Sequence, residues 1–343
     1  MNLFLDCIKG LPVDRPPVWF MRQAGRYLSE YRNTRKKAGS FLNLCYNSDL
    51  ATEVTLQPID KFGFDAAILF ADILLILDAL GVHVQFVEGQ GPLLDPIRTK
   101  EDINFIRNTG KIHDKLSPVY DTVRKLKQHL PDEIPLIGFA GAPWTLATYL
   151  INGKGEQGSI TAKKFIIENN PEFEEIIKLL TEATVEYILM QIKSGADVIK
   201  IFDSWAGALN ADMVRRYSLN PIKEIVTKVK RQFPEVPFIV FPRSVNTIYS
   251  EFSQIKEFDV LAVDQFLDRK WVAENIQPKK VIQGNLDPIF LTQDKEPLLS
   301  ELKRVTEDFK KYPYIFNLGH GITPDARVEN VTFVVDYIKE LKL

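Results

Sequence analysis

The chain has little cysteine, almost no net charge and no long apolar run, and each absence excludes a class of protein. Its 343 residues include two cysteines, Cys7 and Cys45, in no CxxC pattern, which argues against a disulfide framework or a zinc cluster. A formal charge of -2 is unlike the clustered basic excess of nucleic-acid binders. There is no signal-peptide pattern and no run of about 18 apolar residues. We therefore expect a cytoplasmic protein without nucleic-acid or membrane partners.

What the chain does have is a repeated pattern of short apolar runs followed by helix-length amphipathic segments. Eight runs have the near-continuous apolar character of parallel strands buried on both faces: residues 17–20, 66–70, 136–139, 198–202, 238–241, 260–263, 280–283 and 314–317. Helices are expected at 114–129, 171–194, 211–232 and 298–311, and a loop at 153–159. The pattern predicts one α/β domain over residues 1–343, a (β/α)8 TIM-type barrel. A doubly wound open sheet is the competing fold.

The stretch PVWFMRQAGRYLSEYR places Arg22, Arg26 and Arg32 directly after the first apolar run. Two arginines four residues apart on one helical face repel each other unless an anion lies between them. Ordinary ion pairs with Asp or Glu on a solvated surface are the alternative. Gly25 between the arginines, the neutral donor Gln23 and the position at the end of a strand favour an anion-binding loop.

Polar residues follow most of the predicted strands, where the carboxyl ends of a barrel would gather them on one rim. They are Arg22, Arg26, Asp72, Gly141, Pro143, Trp144, Asp203, Ser204, Arg243, Asp264, Asn285 and His320. Such a concentration of charged and hydrogen-bonding groups is hard to explain by packing. We therefore expect the functional site at this rim.

The segments MRQAGRYL, ADIL, GFAGAPWTLATYL, FDSWAG, QGNLDP and NLGHGITP, in this order, closely resemble the uroporphyrinogen decarboxylase family. The resemblance implies a homodimeric barrel enzyme of haem biosynthesis, a carboxy-lyase that uses neither cofactor nor metal. Its members convert the four acetate side chains of uroporphyrinogen III to methyl groups, giving coproporphyrinogen III. Residue by residue, it implies substrate contacts from Arg22, Gln23, Ala24, Gly25, Arg26, Arg35, Asp72, Tyr149, Ser204 and His320.

The chemistry explains these residue types. Arginine forks suit the many carboxylates of the substrate, and Asp72 can accept hydrogen bonds from inward-pointing pyrrole N–H groups. We expect Asp72, Arg22, Tyr149 and His320 to be catalytic, with the Asp72 charge stabilising a cationic pyrrole. The proton donor stays open among Arg22, His320, water and the substrate itself. Considered alone, Asp72 and Ser204 could instead be helix caps, and Tyr149 a core aromatic.

Two segments depart from the family's pattern, and two other functions compete. FPRSVN stands where many relatives have a glycine-rich loop, and AVDQF stands where they have a GLDW-like segment. A zinc-dependent methyltransferase of the same superfamily would need Cys ligands at the strand ends, and Cys7 and Cys45 lie elsewhere in the sequence. A non-catalytic tetrapyrrole binder would keep the arginines without the chemistry.

Overall fold

A computed structural model describes residues 2–87, 89–108, 111–155 and 157–342. Its strands are β1 Ala67–Ile68, β2 Val84–Val87, β3 Gly91–Leu94, β4 Leu136–Gly141, β5 Val198–Asp203, β6 Phe238–Pro242, β7 Val260–Ala262, β8 Val281–Leu286 and β9 Tyr314–Leu318. β2 and β3 form an antiparallel hairpin, and the other seven strands form one sheet. Every neighbouring pair in that sheet is parallel.

Helices cover this sheet. They are α1 Leu3–Ile8, α2 Ser29–Ala38, α3 Phe41–Tyr46, α4 Ser48–Phe62, α5 Leu75–Ala79, α6 Lys100–Asn108, α7 Ile112–His129, α8 Pro143–Asn152, α9 Ile160–Glu168, α10 Asn170–Lys193, α11 Ala211–Val214, α12 Asn220–Lys230, α13 Tyr249–Ser253, α14 Arg269–Asn275, α15 Lys295–Phe309 and α16 Val328–Glu340. A π-helical turn, Arg215–Leu219, joins α11 to α12, and short 3-10 turns lie at Gln157–Ser159, Ala206–Ala208, Asn246–Ile248 and Pro288–Thr292. The four helices expected from the sequence are present, with ends shifted by a few residues.

The strand order in the large sheet is β1-β4-β5-β6-β7-β8-β9. The order follows the chain without reversing, whereas a doubly wound sheet reverses direction at a switch point. The competing prediction of a doubly wound sheet is therefore wrong. The seven strands form a parallel α/β sheet in which they lie side by side in chain order, with the β2–β3 hairpin outside it.

The first predicted strand is reduced to a single bridging residue that touches both edges of the sheet. Val18 pairs in parallel with Phe316 of β9, and its carbonyl accepts a hydrogen bond of 2.9 Å from the Asp65 N–H just before β1. The Asp65 carboxylate accepts from the Val18 N–H and is paired with Arg15 by two bonds of 2.7 Å each. These contacts join the N-terminal segment to the start of β1.

β1 is shorter than the predicted strand 66–70. Beyond its C-terminal end, a side chain takes the place of the strand as the hydrogen-bond partner of β4. The Gln191 amide of α10 exchanges two 2.9 Å hydrogen bonds with the backbone of Phe139 in β4. Gly138 makes this possible, since a Cβ there would lie 2.6 Å from the Gln191 Oε1. β1 is thus free to diverge from β4, which opens the sheet at the point where Asp72 follows.

Candidate active site

The segments that carry the predicted polar residues follow parallel strands at the same edge of the sheet. Arg22 follows the Val18 bridge, Asp72 follows β1 and Ser204 follows β5. Tyr149 lies on α8, directly after β4, and His320 follows β9. Parallel strands place their carboxyl ends together, so these residues lie around one region at that end of the sheet, which we call the cleft.

Arg22 is held against the loop that carries His320. Its backbone has φ = 61°, a left-handed conformation that is uncommon for a residue with a side chain. The side chain lies on Gly321, where a Cβ would come within 2.4 Å of the Arg22 Cδ. The glycine after His320 is therefore needed for the guanidinium to reach the cleft.

Asp72 is partly exposed and uses only one carboxylate oxygen within the described chain. Its Oδ1 accepts a 2.8 Å hydrogen bond from the Leu74 N–H just before α5. That helix has no side-chain cap, so the helix-cap alternative for Asp72 is not realised, and Oδ2 is left available. Burial raises the pKa of this carboxyl to about 6, against the lowering effects of the Leu74 N–H and the Arg22 charge. The group is an anion at neutral pH with one oxygen open to a ligand.

His320 is half-buried among positive charges. Its Nδ1 is buried and has no partner among the described residues. Burial, together with the charges of Arg22, Arg243 and Lys200, lowers its pKa to about 3. In the free protein His320 is therefore a neutral imidazole near pH 7, suited to hydrogen bonding.

Tyr149 and Ser204 complete the group. The Tyr149 ring packs edge-to-face on Trp205, with centroids 6.1 Å apart. Burial raises the pKa of the Tyr149 hydroxyl, the Asp72 charge raises this pKa as well, and the Arg22 charge lowers it. Tyr149 therefore lies near both charged groups. Ser204 is in a partly exposed turn, and α11 is capped by the Asn210 side chain instead. The helix-cap alternative for Ser204 is thus not realised.

The loop from Arg22 to Arg26 has one buried side chain that anchors it, Gln23, and a stretch of backbone whose N–H groups are not hydrogen-bonded within the described chain. The Gln23 amide is buried and bonds to the Phe20 N–H and the Ala66 carbonyl, each at 3.3 Å. Gln23 therefore anchors the loop, and its side chain does not point into the cleft. Within the described ranges, the N–H groups of Ala24, Gly25 and Arg26 donate to no backbone or side-chain acceptor.

Arg35 lies on the Asp72 side of the cleft. Its guanidinium is 5.2 Å from the Phe41 ring centroid, and its buried Nη1 has no partner among the described atoms. Arg35 and Asp72 both act on the pKa of the Cys45 thiol, which burial raises strongly. Cys45, expected away from the strand ends, is therefore close to the Asp72 side of the cleft as a protonated, buried thiol.

The arginines around the cleft are not paired with carboxylates. In the described parts of the chain, Arg22, Arg26, Arg35 and Arg243 form no ion pair, nor do Arg32, Arg98 and Arg231, whereas Arg15, Arg107, Arg124, Arg215, Arg216, Arg269, Arg304 and Arg327 each do. The alternative of ordinary surface ion pairs for Arg22 and Arg26 is therefore wrong. Unpaired guanidinium groups close to one another are suited to binding an external anion.

Three of the rim residues are buried structural groups rather than cleft-lining ones. Asp203 accepts hydrogen bonds from Thr145 at 2.6 Å and from Ser218, and burial raises its pKa to about 6. Asp264 and Asn285 are also buried, and the Asn285 amide donates to the Asp264 carbonyl at 2.9 Å. These residues shape the loops that carry the exposed polar groups.

Sequence reasoning missed Lys200, which lies in β5 beneath the cleft. Lys200 is fully buried, and its Nζ has no hydrogen-bond partner among the described residues. The Nζ lies 5.0, 4.8 and 5.2 Å from the ring centroids of Trp19, Phe202 and Phe241. Burial lowers its pKa well below the usual value. A lysine inside the apolar run VIKIF was the available signal.

Neither a metal-binding cluster nor a membrane-spanning helix is found among the described residues. No three His, Cys, Asp or Glu side chains there are grouped closely enough to hold a metal ion. No helix in those ranges is long and apolar enough to cross a membrane.

The sheet and the loops at its edge define an α/β protein of the class that binds ligands at the carboxyl ends of parallel strands. The family model described as uroporphyrinogen decarboxylase (URO-D) matches residues 1–341. The uroporphyrinogen decarboxylase of Jannaschia sp. strain CCS1 is 50% identical over 98% of both chains, and that of Paracoccus denitrificans is 47% identical over 98% of both. The chain belongs to the uroporphyrinogen decarboxylase family.

A solved structure of different activity supports the fold alone. A methyltransferase from Methanosarcina mazei superposes with a TM-score of 0.80, covering 98% of this chain and 97% of its own, at 20% identity. At that identity the likeness shows a shared architecture.

Proposed function

We propose that this chain decarboxylates the four acetate side chains of uroporphyrinogen III, releasing carbon dioxide and giving coproporphyrinogen III for haem biosynthesis, without a cofactor or metal. Family membership over nearly the whole chain supports the reaction. The observation that carries it is the partly exposed carboxylate of Asp72 beside arginines without carboxylate partners. A ligand with many carboxylates around a ring of N–H donors complements both features.

Arg22, Arg26 and Arg35 bind outer carboxylates of the substrate in this proposal. The backbone N–H groups of Ala24, Gly25 and Arg26 offer further donors along the same loop, a common way to hold anions. Gln23 contributes by bracing that loop through Phe20 and Ala66. Ser204 donates its hydroxyl from the opposite loop.

Asp72 accepts hydrogen bonds from the pyrrole N–H groups and stabilises a positive charge on the ring. Protonation of a pyrrole carbon gives a cation, which takes up the electron pair released when the bond to the carboxylate breaks and carbon dioxide leaves. The resulting exocyclic methylene gains a proton to become the methyl group, and the ring carbon then loses its added proton to restore the pyrrole, so that one proton is taken up in total. A carboxylate in a partly dry cleft stabilises such a cation more strongly than it would in water.

Tyr149 and His320 position the reacting side chain. His320 is neutral in the free protein because burial and the neighbouring charges lower its pKa to about 3. We therefore assign it as a hydrogen-bonding group and leave proton donation to Arg22, bound water or a substrate carboxyl. Tyr149, close to both Asp72 and Arg22, orients the acetate between them.

At the level of the whole chain, we propose one domain over residues 1–343, a closed (β/α)8 barrel in which the Val18 segment is the eighth strand. Closure is supported on one side by the hydrogen bonds of Pro17 and Trp19 to Phe316 of β9, and on the other by that of the Asp65 N–H, just before β1, to the Val18 carbonyl. We further propose a cytoplasmic homodimer whose ligand is the tetrapyrrole, with no nucleic-acid or membrane partner. The net charge of -2 and the family support these assignments.

The test is anaerobic incubation of the purified, metal-stripped protein with uroporphyrinogen III, followed by chromatography of the products as oxidised porphyrins. We expect stepwise conversion to the four-carboxylate product, and a loss of at least about 100-fold in rate for Asp72→Asn, since an uncharged group no longer stabilises the cation. Asp132→Asn, an exposed carboxyl elsewhere, should keep the wild-type rate. Near-normal turnover by Asp72→Asn would refute the role of its charge, and unchanged substrate with folded wild type would refute the reaction.

A further inference from the structure

Arg243 is an unpaired cleft arginine that the resemblance to the family does not assign. It follows β6 in the FPRSVN segment, one of the two segments that depart from the family's pattern. It is half-buried, and its Nε is buried without a hydrogen-bond partner among the described residues. A buried donor left unpaired is unfavourable, so a ligand oxygen that accepts a hydrogen bond from this guanidinium is bound more tightly.

Phe266, from the other departing segment AVDQF, covers this arginine. The Arg243 Cζ lies 5.7 Å from the centroid of the Phe266 ring, which is within the range of a cation–π interaction. Phe266 is nevertheless 66% exposed. A large exposed ring over a half-buried guanidinium leaves the edge of the guanidinium as the part that can donate hydrogen bonds to a ligand.

The buried carboxylate of Asp264 fixes both loops in this arrangement. One oxygen accepts from the Ser244 N–H at 2.6 Å and the other from the Phe266 N–H at 2.9 Å. Ser244 has φ = 63°, so the turn directly after Arg243 is sharp, and the Arg243 N–H donates to the Asp203 carbonyl at 3.1 Å. Arginine and ring are therefore held in place before any ligand arrives.

Arg243 belongs to the same cleft as Arg22. Both charges act on His320, and the Arg22 side chain lies against the adjoining Gly321. His320 thus lies near two guanidinium groups, and Gly319, the residue before it, lies against Gln265 in the loop that carries Phe266. A ligand that contacts His320 is therefore near Arg243 as well.

We propose that Arg243, capped by Phe266, binds a carboxylate side chain of the tetrapyrrole on the His320 side of the cleft and so contributes to substrate affinity. The inference rests on the proposed function. It assigns a purpose to the two segments in which this chain departs from its family. Arg243 holds a part of the substrate that is not reacting at that moment, so its contribution is to binding rather than to the chemical step.

The experiment measures kcat and KM for uroporphyrinogen III with Arg243→Met, Arg243→Lys and Phe266→Ala, together with direct binding of oxidised uroporphyrin by fluorescence. We expect KM and the dissociation constant to rise about tenfold in Arg243→Met, as for loss of a charge-assisted hydrogen bond, with kcat within about twofold. Lysine should restore part of the affinity because it keeps the charge without the fork. The control Arg304→Met, on the outer surface of α15 with its side chain 70% exposed, should match wild type.

The outcomes separate the two proposals. An active wild type with unchanged KM and binding in Arg243→Met would overturn the role of Arg243 and leave the decarboxylase function standing. A fall in kcat with unchanged KM, or a lower melting temperature without a binding defect, would show a structural residue and also overturn the inference. An inactive wild type that does not bind uroporphyrin would overturn both.

Discussion

Asp72 and Asp203 have similar pKa values for the same reason, but they differ in how many hydrogen bonds their carboxylates accept. Burial raises both to about 6. Both oxygens of Asp203 accept hydroxyl hydrogen bonds, whereas Asp72 has a single backbone donor within the described chain. A buried carboxylate with few hydrogen-bond donors is typical of functional sites, where groups needed for activity reduce the stability of the fold.

Asp72→Asn is expected to be more heat-stable than wild type at pH 7.5. The folded pKa of about 6 lies above the ordinary value of 3.8, so ionised Asp72 costs stability above pH 6, and this cost fades as the pH falls towards 4. Asparagine keeps the oxygen that accepts from Leu74 and carries no charge. After discounting for solvent screening, we expect the free energy of unfolding to increase by about 1–2 kcal/mol at pH 7.5. Calorimetry should therefore show a melting temperature about 2 °C higher than wild type at pH 7.5, and almost the same melting temperature at pH 4.

Asp203→Asn is the matched control for that measurement. An amide supplies one acceptor, whereas Thr145 and Ser218 both donate to this carboxylate. We therefore expect a lower melting temperature at both pH values. If the melting temperatures of both variants changed in the same direction at pH 7.5, Asp72 could not be distinguished from a structural carboxyl.

Among the elements, the contact between β4 and α10 explains why one end of the sheet is open. Gln191 supplies to Phe139 the donor and acceptor that a longer β1 would have supplied. The divergence of β1 that follows is what brings the chain to Asp72. The shape of the cleft thus depends on a helix residue outside it.

Gln191→Leu should destabilise the fold by about 2–4 kcal/mol, because it leaves both the N–H and the carbonyl of buried Phe139 unpaired. Urea unfolding followed by circular dichroism measures the change. Gln128→Leu, on the exposed face of α7, should stay within about 0.5 kcal/mol of wild type. Equal urea midpoints for wild type and Gln191→Leu would contradict this account.

Periodicity predicted the central strands well because their apolar runs are local properties of the sequence. It overextended β1, whose length is set by Gln191 more than a hundred residues later, and it missed the hairpin of Val84–Val87 and Gly91–Leu94, whose residues are partly exposed. The location of the site was predictable, since parallel strands bring their ends together. The buried roles of Gln23, Asp203 and Asp264 were not, because their hydrogen-bond partners are distant in sequence or in other loops.

At the scale of the molecule, the N-terminal segment and the last strand of the large sheet meet at Val18 and Phe316. Asp65 secures this junction by accepting hydrogen bonds from Arg15 and from the Val18 N–H. The Arg15 and Asp65 side chains are only 20% and 12% exposed. The same segment continues directly into Arg22, so the contact of this segment with β9 and the placement of the cleft arginines are coupled.

Asp65→Ala is expected to lower stability by about 3–5 kcal/mol, the range for removing one partner of a largely buried ion pair. Hydrogen exchange should show faster exchange at Trp19 and Phe316, whose N–H groups bond across the junction. Uroporphyrinogen turnover should fall as well. Unchanged exchange at these two amides would show that the junction is held by other contacts.

The unpaired cleft arginines have a further consequence for the course of a multistep reaction. Each decarboxylation removes one negative charge from the ligand, while the protein keeps every guanidinium charge. Coulomb attraction therefore declines in steps from the octacarboxylate to the tetracarboxylate. The dissociation rate should rise with each step, so that unfinished intermediates stay bound longer than the final product without any moving part to retain them.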